Sequence, residues 1–500
     1  MHHARSPRPR LSFALALLLA FSFAGMTFST ASAADDDKKD DDDKYAKLIK
    51  DAKTQSGLLK LHTKGSKLYV ELTSSNLNKD YIVLISIARG IGQGPLLGGM
   101  TWGFGDDWLW QFRKVEDKIQ IVRRNVRFTA KKNSPEAKAV KLAYTDSVLF
   151  SLPIAAKSPS GGMLVDLSTV FMSDLPQISS VLRGFSFSAS KSSWASVKAL
   201  KDNVELEVAA TYSSSGSIDL ETVADSRGVT INVHYSISEL PSTGYKSRLA
   251  DDRIGYFLTV IKDYSKKGEQ DRFVRYINRW DLQKADSKAD LSPPKKPIIF
   301  WLEKTVPFEY RKPIRDGILE WNKAFEKAGF VNAIEVRQQP DNAQWDPEDI
   351  NYNTFRWITS SAGFAMGPSR VNPITGQILD ADIIFDADFL EFWKEEYETF
   401  SNESIAAMTG GALDLQAYAA ARRGLPAWHG RGCQCTLHKG FPGRWLSVRP
   451  SCWPAMRPRP RRCRKKWSRK ASRKWSCTKW AIRWACDTTS RPAPIFLLKT

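Results

Sequence analysis

Cysteine is missing from most of this 500-residue chain, and the absence limits how the fold can be stabilised. No cysteine precedes Cys433, and all six lie between Cys433 and Cys486. A disulfide framework is therefore excluded for the first 432 residues, whose stability has to come from a buried core. The length is ample for such a core and is typical of two or three domains.

Histidine is also scarce, and its positions exclude a common metal motif. The six histidines are His2, His3, His62, His234, His429 and His438. None lies four residues from another with a glutamate between them, so the sequence lacks H-E-x-x-H. That motif places two imidazoles on one helix face to bind zinc, with the glutamate as general base. We therefore predict no catalytic residue and no metal ligand of this kind in the chain as written.

Long apolar runs are absent except near the N-terminus. Arg5, Arg8 and Arg10 precede the apolar residues 11–26, and the small residues Ala31–Ala33 follow. This order predicts a signal peptide over residues 1–33 and export to the periplasm or the outside of the cell. A membrane anchor is the alternative, but a span needs about 20 apolar residues. No transmembrane segment is expected after cleavage, and the like-charge residues 34–44 predict a disordered spacer.

Charge is distributed very unevenly along the chain. The formal net charge is +20, of which residues 443–500 carry +16, because they hold 17 lysines and arginines against the single acid Asp487. The other 442 residues are mildly basic, so their composition does not predict a specific nucleic-acid partner.

Alternating apolar and polar residues dominate the chain from residue 45 to residue 291. "KLYVEL", "VELEVAATY" and "GVTINVHYSI" are examples, separated by serine-rich and glycine-rich loops. This period of two is typical of half-buried strands. We predict an antiparallel β-rich N-terminal domain over residues 45–291.

The pattern changes after the stiff, polar "SPPKKP" of residues 292–297. "IIFWLE" predicts a buried strand. "YRKPIRDGILEWNKAFEKAG" predicts a helix with Pro313 in its first turn and Gly329 at its end. Further strands follow. The whole chain is therefore expected to be α+β, with an α/β region over residues 292–442.

Aspartates alternate along one predicted strand, "ILDADIIFDADF". Their period of two puts Asp380, Asp382, Asp386 and Asp388 on one strand face. We interpret them as a solvent-facing row on a half-buried sheet. Calcium binding by these carboxylates is the alternative.

Several segments resemble a family of large secreted bacterial zinc-dependent metalloproteases, distant relatives of the metzincins. They include "RLADDRIGYF", "RYINRWDL", "DPEDINYNTFRWITS" and "AMGPSRVNPITGQILDADI", within a match over residues 45–428. The resemblance implies a metzincin-like catalytic domain in residues 292–442. It also implies zinc as the cofactor of intact relatives, with peptides or proteins as their substrates. By the same resemblance, the edge strand that binds the substrate comprises Gly363, Phe364, Ala365, Met366, Gly367 and Pro368.

That family requires H-E-x-x-H-x-x-G-x-x-H after this segment, and the motif is absent. Regrouping the possible codons of the tail by one base is compatible with this motif. Each new triplet takes the last base of one codon and the first two bases of the next. At the Trp480–Ala481 and Trp484–Ala485 junctions this triplet can encode only glycine, because tryptophan has the single codon TGG and every alanine codon begins with GC. The string H-E-V-G-H-T-L-G-L-R-H fits every constraint from Cys477 onward. We therefore interpret residues 443–500 as the product of a one-nucleotide frame change, by mutation or sequencing error.

The tail as written offers no zinc site where the motif should stand. Cys477, Thr478, Ala481 and Asp487 take the places of its ligands and base. Without bound zinc, water keeps a high pKa and is no nucleophile, so we predict an inactive chain with a disordered tail and no cofactor.

Two alternatives remain at the sequence level. An authentic basic tail would bind nucleic acid or anionic lipid and make the chain a non-enzymatic exported binding protein. His429, Cys433, Cys435 and His438 would supply four metal ligands, but C-x-C is tighter than the usual C-x-x-C.

Overall fold

The computed structural model describes residues 41–103, 107–216, 218–266 and 271–399. These residues are 39% strand and 17% helix. The predicted signal peptide, the residues after 399 and the suspected out-of-frame tail lie outside the described residues.

Sixteen strands precede the predicted boundary at residue 292. They are β1 (Lys53–Gln55), β2 (Lys60–Lys64), β3 (Lys67–Leu72), β4 (Tyr81–Arg89), β5 (Thr101–Trp102), β6 (Trp108–Val115), β7 (Lys118–Arg123), β8 (Phe128–Thr129), β9 (Ser147–Lys157), β10 (Met163–Asp166), β11 (Ser186–Phe187), β12 (Ser193–Ala199), β13 (Asn203–Ser213), β14 (Val229–Glu239), β15 (Leu258–Asp263) and β16 (Phe273–Ile277).

Seven strands and most of the helical residues complete the described chain. The strands are β17 (Ile298–Leu302), β18 (Ile334–Gln338), β19 (Asn353–Ile358), β20 (Ala365–Met366), β21 (Ser369–Val371), β22 (Ile378–Ala381) and β23 (Ile383–Asp386). The helices are α1 (residues 41–49), α2 (Pro135–Ala143), α3 (Ser168–Phe171), α4 (Phe308–Leu319), α5 (Asn322–Lys327) and α6 (Ala387–Thr399). Residues 41–44, which the sequence assigned to the charged spacer, are therefore helical.

One large antiparallel sheet of thirteen strands dominates the part of the chain that the structure describes. Its strand order is β1-β2-β3-β10-β9-β7-β6-β4-β14-β13-β11, with β12 also paired to β13 and β5 to β4. Alternate residues of these strands point to one side, where they form a single apolar core around Trp110, Phe171, Tyr212 and Tyr235. The sequence pattern that predicted strands here is the pattern that fills this core.

The large sheet nearly closes on itself, because its first strands meet β12. The Gln55 side-chain amide donates to the Val197 carbonyl at 2.9 Å, and the Leu58 amide donates to the Leu200 carbonyl at 2.7 Å. Gly57 sits at this seam, where an added Cβ would lie 2.2 Å from the Leu200 carbonyl oxygen. Glycine is required there because the two backbones approach too closely for a side chain.

Three smaller sheets accompany the large one, and one of them is the two-stranded pair of β21 and β22. β16, β15 and β8 form a three-stranded sheet, and β18-β17-β19-β23-β20 form a five-stranded sheet that is parallel except for β20. α4 and α5 connect β17 to β18 and cover an apolar cluster that includes Ile314 and Ile318. Gly329 ends this helical segment in the left-handed region, with φ of +87°.

The predicted α+β class, with a metzincin-like α/β region after residue 291, is wrong. The described residues are mostly strand, and the nearly closed antiparallel sheet dominates them. Only the β17–β18 connection in the five-stranded sheet carries a helix, since β18–β19 is a loop and β19–β23 contains short strands. The physical reason is that buried parallel strands and one amphipathic helix are also typical of an α/β domain, whereas this chain continues with a loop and short strands.

The segment predicted as a break between domains is packed in the structure. Ser292 is buried and its backbone exchanges hydrogen bonds with Gly329 and Val331. Among the helices that the structure describes, none is long and apolar enough to span a lipid bilayer.

Candidate functional site

The segment that the sequence singled out forms one arm of a long β-hairpin. The Phe364 carbonyl accepts from the Asp386 amide at 3.0 Å, and the Pro368 carbonyl accepts from the Asp382 amide at 3.0 Å. Between these contacts β20 pairs antiparallel with β23, and beyond them β21 pairs with β22. Residues 364–371 therefore run continuously along residues 378–386.

The turn of this hairpin is fixed by its own sequence, "NPITGQ". The Asn372 amide donates to the Gln377 carbonyl at 2.8 Å, and Gly376 has φ of +78°. A Cβ on Gly376 would lie 2.9 Å from the Ile277 carbonyl oxygen of β16. Glycine thus permits both the turn and its close approach to the three-stranded sheet.

β20 is the edge strand of the five-stranded sheet. Phe364, Met366 and Pro368 direct their backbone groups toward β23, so Ala365 and Gly367 direct theirs away from it. Both of these residues are exposed. In the part of the chain that the structure describes, no strand pairs with this outer side.

Asp386 fixes the loop that leads into the edge strand. Its carboxylate is fully buried and accepts from the amides of Ala362 at 2.8 Å and Gly363 at 2.9 Å. It also accepts from the Ser360 hydroxyl at 2.8 Å. Charge-assisted bonds of this kind are strong, so the position of Gly363 is set by the end of β23.

Arg370, in β21, attaches the far end of the same hairpin arm to the large sheet. Its guanidinium is buried and donates to the carboxylates of Asp380 and, at 2.8 Å, Asp382. It also donates to Ser86 of β4 at 3.1 Å and to Thr101 of β5 at 3.3 Å. Burial raises the pKa of Asp380 well above its usual value, and the nearby Asp382 raises it further. One guanidinium therefore faces two carboxyls, one of which holds a proton more readily than usual.

The aspartate row is not solvent-facing, so that interpretation is wrong. Asp380, Asp382 and Asp386 are each at most 2% exposed, and Asp388 is half-buried. Asp380 and Asp382 share the Arg370 guanidinium as a partner, whereas Asp386, beyond the break between β22 and β23, has different partners. Asp382 accepts from the Thr354 amide and hydroxyl, while Asp386 binds the loop before β20. Calcium binding by this row has no support from that arrangement.

Zinc does not fit the residues that the structure describes. His62 lies 3.4 Å from Glu71, and His234 lies 3.2 Å from Glu205, both measured from Nε2 to a carboxylate oxygen. Burial lowers the pKa of His234 and raises that of Glu205, which favours the neutral forms of that pair. Within the described ranges, no group of three or more histidine, cysteine, aspartate or glutamate side chains could hold a metal.

The tail residues of interest have no described position. His429, Cys433, Cys435 and His438 lie outside the described residues, as do Cys477, Thr478, Ala481 and Asp487. The possible four-ligand site and the lost zinc helix therefore stay predictions from the sequence.

A cleft of about 500 Å³ lies beside the hairpin. One wall is made by every second residue of the hairpin arm, from Gly367 through Ser369 and Val371 to Pro373. The segment from Arg123 to Phe128 also lines the cleft, as does the start of β15. The cleft thus joins the five-stranded sheet, the large sheet and the three-stranded sheet.

Sequence reasoning missed the residues that position the edge strand. Arg370 carried no signal of its own, because an isolated arginine in a turn-rich stretch is normally exposed. The alternating aspartates were the available signal, since buried carboxylates need a buried cation or backbone amides. "RRNVR" (residues 123–127) was a second signal, with three arginines in five residues.

Comparison with known proteins gives two partial matches. Residues 42–90 match a family described as Domain of unknown function (DUF5118), and residues 105–285 match one described as Domain of unknown function (DUF5117). Neither range reaches half of the chain, and the edge strand lies outside both. No curated protein and no solved structure matches the chain.

Proposed function

We propose that this chain is an exported, catalytically inactive member of a zinc metalloprotease family, which retains the binding of extended peptides along β20. The observation that carries the proposal is the outer side of this strand, with Ala365 and Gly367 exposed. An exposed edge binds a peptide as an added strand through backbone hydrogen bonds, whatever the peptide's sequence.

The anchoring of the strand supports the same proposal. The Asp386 carboxylate fixes Gly363, which precedes β20, and Arg370 fixes the hairpin arm after β20. A strand that is rigid before binding loses little conformational entropy when a peptide pairs with it. Intact relatives would use bound zinc to activate water, and this chain lacks the ligands in its sequence.

Replacing Ala365 by proline tests strand addition directly. Ala365→Pro removes one outward N–H and leaves the inward bonds to β23, and edge strands tolerate proline. We expect about tenfold weaker binding of a fluorescein-labelled octapeptide of alternating threonine and valine, measured by anisotropy. Ala365→Ser keeps the N–H and should bind like the wild type. Equal affinity of all three proteins would refute peptide binding at this edge.

Restoring the reading frame tests the family assignment. The chain as written should contain no stoichiometric zinc by elemental analysis and should not hydrolyse a quenched-fluorescence peptide. The gene with one base inserted or deleted within codons 439–445 should encode H-E-V-G-H-T-L-G-L-R-H and yield a zinc-containing peptidase. Failure of either frame to encode that helix would refute the assignment.

A second candidate function follows from charge alone. Residues 443–500 carry +16, a density that attracts nucleic acids and anionic lipids. If the tail is authentic, binding to a DNA duplex should weaken steeply with salt and disappear when residues 443–500 are deleted. Binding that survives the deletion would exclude the tail as its source.

A further inference from the structure

We propose that the cleft beside β20 selects peptides that carry carboxylate side chains at alternate positions. This inference rests on the proposed function, because it assigns a substrate preference to the same edge strand. It concerns the cleft lining from Arg123 to Phe128, for which neither the sequence resemblance nor the matched families give a role.

The geometry joins the strand to the cleft. Gly367 belongs to the peptide-binding segment and also lines the cleft, and Ser369, Val371 and Pro373 continue the same lining. Residues at alternate positions of a strand project to one face of the sheet. An added peptide strand obeys the same alternation, so every second side chain of the peptide is directed to the face on which the cleft lies.

The wall that those side chains meet is rich in arginine. Arg123, Arg124 and Arg127 line the cleft, and Asp107 is the acid among its lining residues. Asp107 accepts from the Val371 amide at 3.0 Å, so its carboxylate also serves to hold the hairpin arm. Arginine pairs with carboxylates through a planar fork of donors, which makes this wall suited to glutamate or aspartate side chains.

The three arginines have different surroundings. Arg124 donates to Asp80 at 2.7 Å, and the Arg123 guanidinium lies 4.5 Å from the centre of the Trp108 ring. Both are half-buried and positioned by these contacts, whereas Arg127 is exposed. Asn125, Thr145 and Ser147 add polar groups to the lining. The contacts with Asp80 and Trp108 position Arg124 and Arg123 within the protein, and Arg127 is the most exposed of the three arginines.

Charge-matched peptides test the preference. The probe is the threonine–valine octapeptide with two successive threonines replaced by glutamate, near its N-terminal or its C-terminal end, beside twins that carry glutamine. We expect one of the two glutamate peptides to bind about tenfold tighter than its glutamine twin at low salt. The ratio should shrink at about 0.5 M salt, because screening weakens such pairs. Equal affinity within both twin pairs would overturn the inference, as would an equal gain at both ends.

Matched arginine variants of the full chain locate the effect. Arg127→Gln should weaken the preferred glutamate peptide about two- to fivefold and leave its glutamine twin unchanged. Arg227→Gln removes the same charge from an exposed arginine elsewhere and should change neither. Equal losses in both variants would show attraction to the net charge and overturn the inference.

The Ala365→Pro variant separates the two proposals. If it weakens every peptide while glutamate and glutamine twins bind alike in the wild type, strand addition stands and the cleft preference is refuted. If it changes no affinity while the glutamate preference persists, strand addition is refuted and acid recognition by the cleft stands.

Discussion

Phe171 and Arg370 are both almost completely buried, yet their surroundings are opposite. Phe171 lies inside the large sheet, against the rings of Trp110, Trp194 and Tyr235. Arg370 lies where the hairpin meets the outside of that sheet, among carboxylates and hydroxyls. The inside of the large sheet is stabilised by apolar burial, whereas its outer face meets the hairpin through paired charges beside an apolar cluster of Leu84, Ile350 and Leu379.

The comparison teaches which contacts tolerate change. An apolar core accepts substitutions that conserve volume, because its energy depends mainly on buried area. A buried guanidinium tolerates few substitutions, because its removal leaves the buried carboxylates without a compensating positive charge. The same contrast recurs at Arg356, which is buried and donates to Glu348 at 2.6 Å. The proposed peptide-binding strand, β20, is thus held in place by charged side chains at both of its ends.

The largest effect is expected from a substitution in the apolar core of the large sheet. Phe171→Ala should lower the free energy of unfolding by about 3–5 kcal/mol, because it removes a ring and leaves a cavity among three others. Urea unfolding followed by tryptophan fluorescence measures the change. Leu142→Ala, at a residue that is 87% exposed on α2, should cost less than about 0.5 kcal/mol. A small loss for Phe171→Ala would show that the core is not closely packed.

The next largest effect is expected from removing the charge of Arg370 where the hairpin meets the large sheet. Arg370→Met should cost about 3 kcal/mol, at the low end for a broken buried pair, because Asp380 can take up a proton. The same urea titration measures it. Arg337→Met, which removes an exposed arginine paired with Glu335, is the control and should cost less than about 0.5 kcal/mol. Equal costs in the two variants would contradict the role given to Arg370.

The smallest effect concerns a charged cluster on the large sheet itself. Glu71 accepts from Tyr45 of α1 at 2.8 Å and pairs with Lys60 at 2.8 Å. Burial acts to raise its pKa, but hydrogen bonds from Lys60, Ser158 and Tyr45 outweigh burial and bring the pKa to about 2.

The sign of the resulting pH dependence follows from that lowered pKa. The unfolded chain binds the proton more tightly, so the stabilisation by Glu71 is complete above about pH 4.5 and is lost as the pH falls toward 2. Urea unfolding between pH 7 and pH 2 should show this loss, and Glu71→Gln should make the curve flatter below pH 4.5. Glu239→Gln, in an exposed pair with Lys79, should leave its shape unchanged. Parallel curves for all three proteins would contradict the prediction.

Several strands of the large sheet were accessible from the sequence because their apolar and polar side chains alternate. "KLYVEL" and "VELEVAATY" became β3 and part of β13, with their apolar residues inside. The helix around Pro313 was also accessible, although α4 begins earlier, at Phe308, and the helical segment breaks near Glu320. Local periodicity carries this information without any knowledge of the tertiary contacts.

The class of the fold and the state of the aspartates were not accessible in the same way. A buried parallel strand such as "IIFWL" looks alike in an α/β domain and beside a larger sheet. The burial of Asp380 depends on Arg370, ten residues away, and on Ser86, which lies in another sheet. The position of β20 at a sheet edge followed from a resemblance to a family, whereas the arginine-lined cleft required the folded arrangement.

The seam of the large sheet has a consequence for the order of folding. It joins residues 142 apart in sequence, at Gln55 and Val197. Forming a contact between such distant residues costs loop-closure entropy before the contact stabilises the fold. Sheets that depend on such contacts therefore fold slowly. The seam can therefore form only after β12 has been synthesised and placed, so we expect closure of the large sheet to be a late step in folding.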